Sequence, residues 1–540
     1  MVKVISHLTP KNIFLFVFKK YIFLQPNNDL KMKAKIYGVF ILVEAFFMGV
    51  ASMVALYYNV HSGEKDVVSL LAATMITGIF GFILLSAGRE RARKGGGRVQ
   101  KFESLTMKDS FVLVTVAWVL FAVFGMLPFI FTGAIDNVTD AFFESMSGFT
   151  TTGATIMNNI DSQPHGILFW RSVIQWLGGL GIIVLFLAII PALNKNSNKT
   201  TLYAAEMSGL SVKKLHPKMA VTARHLYLIY MFLTIVCALV YWAGPMNFYD
   251  AVCHALTTMS SGGFSTHQSS IGYFNSSYVE YFCVLFMIMS GINFSLYYFL
   301  ARGDVKYFLK NEELRWFFGV IVIMVAVMTA LFYYAPTVET IATNTSAYPE
   351  PTFESKFRAA LFHVVTIFSS TGYQGSYYDY TLWGGLFLFP TLLLMLSGSC
   401  AGSTSGGIKV IRWMVCLKSI RITIKQFLHP SAVFSVKVSK EVVSNEILLR
   451  TLNFLFFYVI ICIISVVVLS ISGCEFEESV FNVVTALSNM GPGYKSTGPA
   501  TTFSDLTVTA KWVMSFLMLI GRLEIYTVLL IFTPTFWNKK

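Results

Sequence analysis

The chain has 540 residues, of which 55% are hydrophobic and 13% charged, and its mean hydropathy is +0.63. Soluble domains carry roughly a quarter charged residues, so this composition excludes an ordinary soluble enzyme and describes a polytopic membrane protein. The formal net charge of +13 would suggest nucleic acid in a soluble chain. Here the basic residues gather in particular connections, which assigns them to membrane topology, and no nucleic-acid partner is expected.

Residues 1–31 are basic and aromatic, as in Phe14–Phe23, and no small-residue cleavage site follows them. They read either as an interfacial helix or as an upstream extension if translation starts at Met32. A spanning helix needs roughly 20 mostly apolar residues. Stretches that qualify lie near 36–60, 66–87, 110–132, 166–193, 224–245, 278–301, 315–335, 383–412, 446–472 and 508–536. Shorter apolar stretches near 140–152, 250–262, 359–371 and 478–490 read as re-entrant pore helices. Lys and Arg accumulate on the cytoplasmic side of membrane proteins. The connections 88–109, 194–224 and 412–450 are strongly basic, whereas the turns flanking the half-helices carry Asp136, Asp140, Asp161, Asp250, Glu475, Glu477 and Glu478. Lys356, Arg358 and Lys495 are the exceptions. Both termini are therefore expected in the cytoplasm, with the half-helices entering from outside.

Each half-helix leads into a glycine: Gly153, Gly263, Gly372 and Gly491, spaced by 110, 109 and 119 residues. A period this steady argues for internal duplication. Polar residues recur at fixed offsets before the glycines. Nine back stand Glu144, His254, His363 and Asn482; six back Ser147, Thr257, Thr366 and Thr485; three back Thr150, Ser260, Ser369 and Ser488. Such residues are costly in a bilayer unless they face partners or water. A half-helix C-terminus carries partial negative charge, and glycine permits backbone that turns carbonyls inward. Irregular backbone at membrane depth is tolerated where it lines a water-filled path, and rings of carbonyls can replace an ion's hydration shell. The expectation is an all-α polytopic membrane protein with two leading helices and four parallel helix–pore-loop–helix repeats around one central pore. Its divisions are 1–35 (basic segment), 36–87 (leading helices), then repeats 88–194, 195–302, 303–425 and 426–540, the third carrying an intramembrane loop.

These residues carry a resemblance. Phe149–Thr155, Phe169–Gly179, Gly262–His267, Gly402–Arg412, Asn489–Gly493 and Gly521–Tyr526 resemble the TrkH-type membrane subunit of the Trk/Ktr/HKT potassium transporter superfamily, from about residue 36 to the C-terminus. That family has one filter glycine per repeat. The resemblance implies a K+-binding set of Thr151, Thr152 and Gly153; Ser261, Gly262 and Gly263; Ser370, Thr371 and Gly372; and Asn489, Met490 and Gly491. Only one glycine recurs in all copies, so fewer ion sites and looser selectivity are expected than in channels with longer filter runs. A sodium-permeable or cation-coupled relative is the alternative, and a serine at the first filter position is associated with sodium in plant relatives. Gly153 favours potassium.

The stretch 383–412 is interrupted by Ser397–Gly407, with Gly398, Gly402, Gly406 and Gly407 inside it. Glycine costs about 1 kcal/mol per helical position, so a break is expected. No Gly-Lys-Ser/Thr ending makes it a P-loop, and Cys400 stands where a nucleophile elbow needs serine. The resemblance implies that this loop, with Lys409, is a gate below the filter. Arg522, near the middle of the last apolar stretch, is expensive in a membrane. Its expected partners are carbonyls of the 398–407 loop rather than Glu524, since side chains at i and i+2 do not face each other. His254, His267 and His363 lack zinc-ligand spacing, and Cys237, Cys253, Cys283, Cys400, Cys416, Cys462 and Cys474 form no CxxC pair. No catalytic constellation is present, so an enzyme is not expected; a carrier with inverted repeats does not match the parallel copies. The resemblance further implies a homodimer in the cell inner membrane, surrounded by lipid, with a cytoplasmic TrkA-like nucleotide-binding regulatory subunit. No nucleotide motif or other cofactor site occurs in this chain, and K+ is the transported ion.

Overall fold

The computed structural model describes residues 27–87, 107–193, 219–334, 352–375, 379–439 and 441–537. The N-terminal residues 1–26 and most of two basic connections, 88–106 and 194–218, lie outside the described residues. The described chain is overwhelmingly helical. In order, α1 (Asn27–Ser62) and α2 (Val67–Ala87) form a leading hairpin, followed by α3 (Met107–Gly125), the half-length α4 (Val138–Phe149) and α5 (His165–Leu193). Then come α6 (Met219–Trp242), the half-length α7 (Phe248–Met259), α8 (Ser277–Gly291) and α9 (Phe294–Ala301). The third group is α10 (Glu312–Tyr334), the half-length α11 (Phe353–Phe368), α12 (Gly385–Leu396) and α13 (Val410–Leu428). A small hairpin of β1 (Lys437–Val438) and β2 (Glu441–Val442) precedes α14 (Asn445–Ile471), the half-length α15 (Phe476–Ser488) and α16 (Val508–Leu523).

Six described helices are long and apolar enough to cross a membrane, and up to eight if each of two sharply bent pairs is one span. Their outward faces carry mostly exposed Val68, Phe232, Val322 and Phe456. In water such continuous apolar surface would be a liability; in hydrocarbon it is the solvent-matched face. Buried residues form two large apolar clusters. One is built around α6 to α12, and the other around α1 to α5 and α14 to α16.

Two stretches expected as single spans are broken. The stretch 278–301 bends by 95° between α8 and α9. Ile292 is extended there, and the Asn293 side chain accepts from the Ser295 N–H at 2.9 Å, capping a new helix. The stretch 508–536 bends by 116° after α16. Glu524 adopts φ +61°, and its carboxylate lies 2.5 Å from Arg412 on α13. The half-helices also end earlier than their glycines, for a reason found at their C-termini. Two of the cations that depart from the loop-charge pattern are matched locally: Lys495 pairs with Glu475 and Glu477, and Arg358 with Glu280 and Glu354.

The leading hairpin depends on a close helix crossing. A Cβ on Gly38 would stand 2.6 Å from the Leu85 backbone nitrogen. Gly38→Val is therefore expected to cost about 1–3 kcal/mol, the usual range for overpacking, and to lower the thermal unfolding midpoint in detergent. Gly319→Ala, inside α10 with nothing within 4 Å of the new methyl, should hold that midpoint or raise it slightly, since alanine is favoured over glycine in a helix by about 1 kcal/mol.

Candidate functional site

The half-length helices start on polar caps in three cases. Asn137 accepts from the Thr139 N–H at 2.9 Å, Asn247 from the Asp250 N–H at 2.7 Å, and Thr352 from the Ser355 N–H at 3.2 Å. Their C-termini close identically in all four. The N–H groups of Thr152, Gly262, Thr371 and Met490 donate to the carbonyls of Ser147, Thr257, Thr366 and Thr485 at 2.8, 2.9, 2.9 and 3.0 Å. The preceding N–H groups donate to Gly148, Thr258, Ile367 and Ala486 at 3.0, 3.0, 2.9 and 3.4 Å. This is the Schellman closure, whose left-handed residue is usually glycine. Here Thr151, Ser261, Ser370 and Asn489 occupy it, at φ 53°, 55°, 54° and 52°. Left-handed backbone at a non-glycine residue costs roughly 1–2 kcal/mol, and the same strain is held in four places at one site. The sequence places these four residues in the polar loops, but assigns positive φ to the glycines alone, so their left-handed conformation is an addition from the structure.

The glycines follow two positions later, at φ 82°, 79°, 74° and 106° for Gly153, Gly263, Gly372 and Gly491. A Cβ on Gly153 would stand 2.2 Å from the Gly262 oxygen. One on Gly263 would stand 1.9 Å from the Thr371 oxygen, one on Gly372 2.0 Å from the Met490 oxygen, and one on Gly491 2.9 Å from the Thr152 oxygen. The contacts run from the first loop to the second, third and fourth and back to the first, a closed ring of four. All four glycines line one open depression, which also takes in His267 and Gln374. The twelve residues Thr151–Gly153, Ser261–Gly263, Ser370–Gly372 and Asn489–Gly491 are thus together in space.

The returning chains are pinned by the polar residues nine positions before each glycine. The Glu144 carboxylate accepts from Ile156 N–H at 2.8 Å, Thr155 Oγ1 at 3.1 Å and Arg171 Nε at 2.8 Å. Arg171 also donates to the Ser265 carbonyl at 3.1 Å and lies over the Phe264 ring. His254 Nε2 lies 2.9 Å from Ser265 Oγ, His363 Nε2 3.0 Å from Thr391 Oγ1, and Thr497 donates to Asn482 Oδ1 at 2.6 Å. Gln175 was not singled out in the sequence. It donates to the Gly262 carbonyl at 2.6 Å and accepts from the Phe264 N–H at 3.0 Å, tying that carbonyl to α5. The available signal was a polar residue one turn beyond Arg171 in an apolar stretch. His267, at the mouth, lies between Asp161 at 2.8 Å and Asp250 at 3.3 Å and stacks on Tyr273. Burial works against its imidazolium, but the two carboxylates outweigh it and hold its pKa above the ordinary value.

Beneath the ring, the segment between α12 and α13 is pinched at its neck, where Gly398 N–H donates to the Ile408 carbonyl at 2.8 Å and Ile408 N–H to Leu396 at 3.2 Å. Its buried tip reaches three of the four polar loops. Thr404 Oγ1 lies 2.8 Å from Ser261 Oγ, Gly406 N–H donates to Ser370 Oγ at 2.7 Å, and a Cβ on Gly406 would stand 2.0 Å from the Ser488 oxygen. Gly402 and Gly407 have φ 74° and 71°. Lys409 donates to the Ser405 carbonyl, and the buried Glu313 on α10 accepts from the Ala401 N–H at 2.7 Å. Arg522, 5% exposed, donates to the Thr404 carbonyl at 2.6 Å and to the Gly178 carbonyl at 3.0 Å. It therefore joins the interrupted segment to α5. Among the described residues no group of His, Cys, Asp and Glu has metal-binding geometry.

Comparison with known proteins places this arrangement. A family model described as a cation transport protein, TrkH, matches residues 74–539. The Trk system potassium uptake protein TrkH of Salmonella typhimurium strain LT2 is 35% identical across 94% of this chain and 99% of its own length. The protein of the same name from Halomonas elongata is 34% identical across 95% of this chain and 100% of its own length. The crystal structure of the potassium transporter TrkH from Vibrio parahaemolyticus superposes with a TM-score of 0.78 at 31% identity, covering 94% of this chain and 99% of that one. These relatives are named as transport proteins, not enzymes.

The Glu144–Arg171 pair is fully buried. Removing one partner from such a pair typically costs about 3–5 kcal/mol, because the other charge is left uncompensated. Arg171→Ala and Glu144→Ala should each lower the thermal unfolding midpoint sharply in detergent. The double variant Glu144→Gln/Arg171→Met should recover part of the loss; a double variant worse than both singles would contradict the pairing.

Proposed function

Given that the chain belongs to the TrkH family of cation transport proteins, we propose that it takes up K+ across the cytoplasmic membrane through a pore formed within one chain. The observation that carries this reading is the closed ring in which each glycine lies against the next loop's carbonyl. Partial charges at four half-helix C-termini converge on that ring, which favours a cation. Alternation between the left-handed residue and the glycine two positions on orients successive carbonyls, so that Thr151–Gly153, Ser261–Gly263, Ser370–Gly372 and Asn489–Gly491 line the ion path. The Gly262 carbonyl, already bonded to Gln175, is the exception that narrows the second loop's contribution to Ser261 and Gly263. The names of the relatives, potassium uptake proteins, support K+ as the cargo, with no cofactor in this chain.

In this reading the sequence divides into four successive repeats, 88–194, 195–302, 303–425 and 426–540, with the half-helices entering from outside and both termini cytoplasmic. The segment carrying Gly398, Gly402, Gly406, Gly407 and Lys409 is the gate. Support comes from its place under three loops and from Arg522, which bridges it to α5 and sets a fixed positive charge in the path. The relatives are named as parts of a Trk system, which supports further components; the partner we propose is a cytoplasmic nucleotide-binding regulatory subunit, and the assembly a homodimer.

Rb+ flux into liposomes holding the purified chain, with the regulatory subunit added in a parallel set, tests both parts. Flux should favour K+ and Rb+ over Na+, and Gly263→Ala, whose methyl has no space, should abolish it without loss of folded protein. Uptake that favours Na+, or none even with the subunit, would sink the pore reading. Arg522→Ala removes two charge-assisted bonds, each worth about 1.5–3 kcal/mol, and should raise unstimulated flux by about tenfold or more. Unchanged flux in that variant would remove Arg522 from gating.

A further inference from the structure

Glu44 stands in the middle of α1, and both its carboxylate oxygens are buried without a hydrogen-bond partner among the described residues. The other membrane-buried charges described above have partners. The groups around Glu44 are specific. At the point where a Gly125 Cβ would stand, Glu44 Oε1 is 3.3 Å away, Ser145 Oγ 2.7 Å and Phe149 Cε2 2.4 Å. Gly125 on α3 therefore lets these three groups close in where a side chain would stand, and the Ser145 hydroxyl is also without a partner among the described residues. Phe149 is the last residue of α4, directly before the first polar loop, and its carbonyl is packed against Gly178. Glu44 thus lies behind the root of that loop, outside the ion path.

Glu44 makes no hydrogen bond among the described residues. Helix α2 has no ionisable side chain. On α3 the charges are Lys108 and Asp109 at its start, where Lys33 of α1 lies 2.6 Å from Asp109. On α4, Glu144 turns to Arg171 of α5 instead. An ionised carboxylate here is an uncompensated charge in hydrocarbon. A proton passed from hydronium to one oxygen, leaving water, removes that charge and gives the acid an O–H to donate toward Ser145. We propose that Glu44 is an intramembrane proton-binding site whose occupancy biases the first polar loop through Phe149, so that uptake responds to pH through a group outside the pore. This rests on the pore reading above.

The experiment is Rb+ flux in liposomes from about pH 5 to about pH 9, for the wild type, Glu44→Gln and Glu44→Asp, alongside infrared difference spectra of the carboxylic acid band over the same range. The wild type should change by about fivefold, the lower end of what one coupled site transmits. Glu44→Gln should stay flat at the wild-type acid-side level and lack one titrating acid band. Glu44→Asp should keep the dependence with a displaced midpoint. A wild-type profile that is flat, or that survives unaltered in Glu44→Gln, overturns the proposal while K+-selective flux persists, which separates its failure from that of the pore reading. A dependence that follows Na+ instead of pH also overturns it. If Glu44→Gln does not fold, Glu44→Asp decides alone: a displaced midpoint and band support the site, and an unchanged profile and band remove it.

Discussion

Four glycine α-carbons stand where the next loop's carbonyl leaves no space for a β-carbon, and the rest of the molecule keeps the loops at that spacing. Backbone polar groups inside a bilayer must be satisfied by the protein or by a water-filled path. The loops meet this demand in two ways. Two N–H groups in each loop are spent on the Schellman closures, and in the proposed pore the loop carbonyls are the groups left to face the path. In that reading, carbonyls gathered around one axis give a chemical preference for a cation. The strain of four non-glycine left-handed residues is the cost of that arrangement. It is offset by the burial of every half-helix on its inner side, where residues such as Phe143, Ala255, Phe362 and Val483 are fully enclosed.

Much of this was legible in the sequence because a membrane imposes long, countable patterns. Apolar length located the helices to within a few residues, and fixed polar offsets located the half-helices. What escaped reading was set by tertiary contact. Ser261 or Ser370 in a left-handed conformation has no one-residue signature; each is held there by the closure behind it and the interrupted segment below it. The break at Ile292 hides in apolar residues, and only the capping geometry of Asn293 reveals it. Glu524 looked like a partner to be excluded for Arg522. It serves instead to end α16, because its ion pair with Arg412 rewards the bend that its positive φ costs.

The placement of charge follows one rule with two forms. Where rigidity is needed, charge meets charge: Arg171 with Glu144, and Lys511 with Asp140 at 2.7 Å. Such pairs recover their desolvation only with good geometry and further hydrogen bonds, and Arg171 has both, reaching two successive loops. Each pair is joined by further bonds to nearby backbone or hydroxyl groups, Arg171 to Thr155 and Ser265 and Lys511 to the Ser504 carbonyl, which fixes it in place.

Arg522 follows the other form. Its partners are two neutral carbonyls, on Thr404 and Gly178, and its Nε has none among the described residues. A carboxylate partner would make a bond of the Glu144–Arg171 type, whose rupture costs about 3–5 kcal/mol. Its two carbonyl bonds, at about 1.5–3 kcal/mol each, hold the guanidinium comparably in sum, but each can be exchanged for water singly without leaving a second buried charge uncompensated. In the gate proposal this difference is decisive. A closed state pinned by a few kcal/mol is opened by the differential binding energy that a regulatory partner can supply, since a shift from almost fully closed to almost fully open requires about 5.5 kcal/mol. A buried ion pair at the same position would leave an uncompensated charge on opening, so in this proposal the neutral partners of Arg522 among the described residues suit a switch.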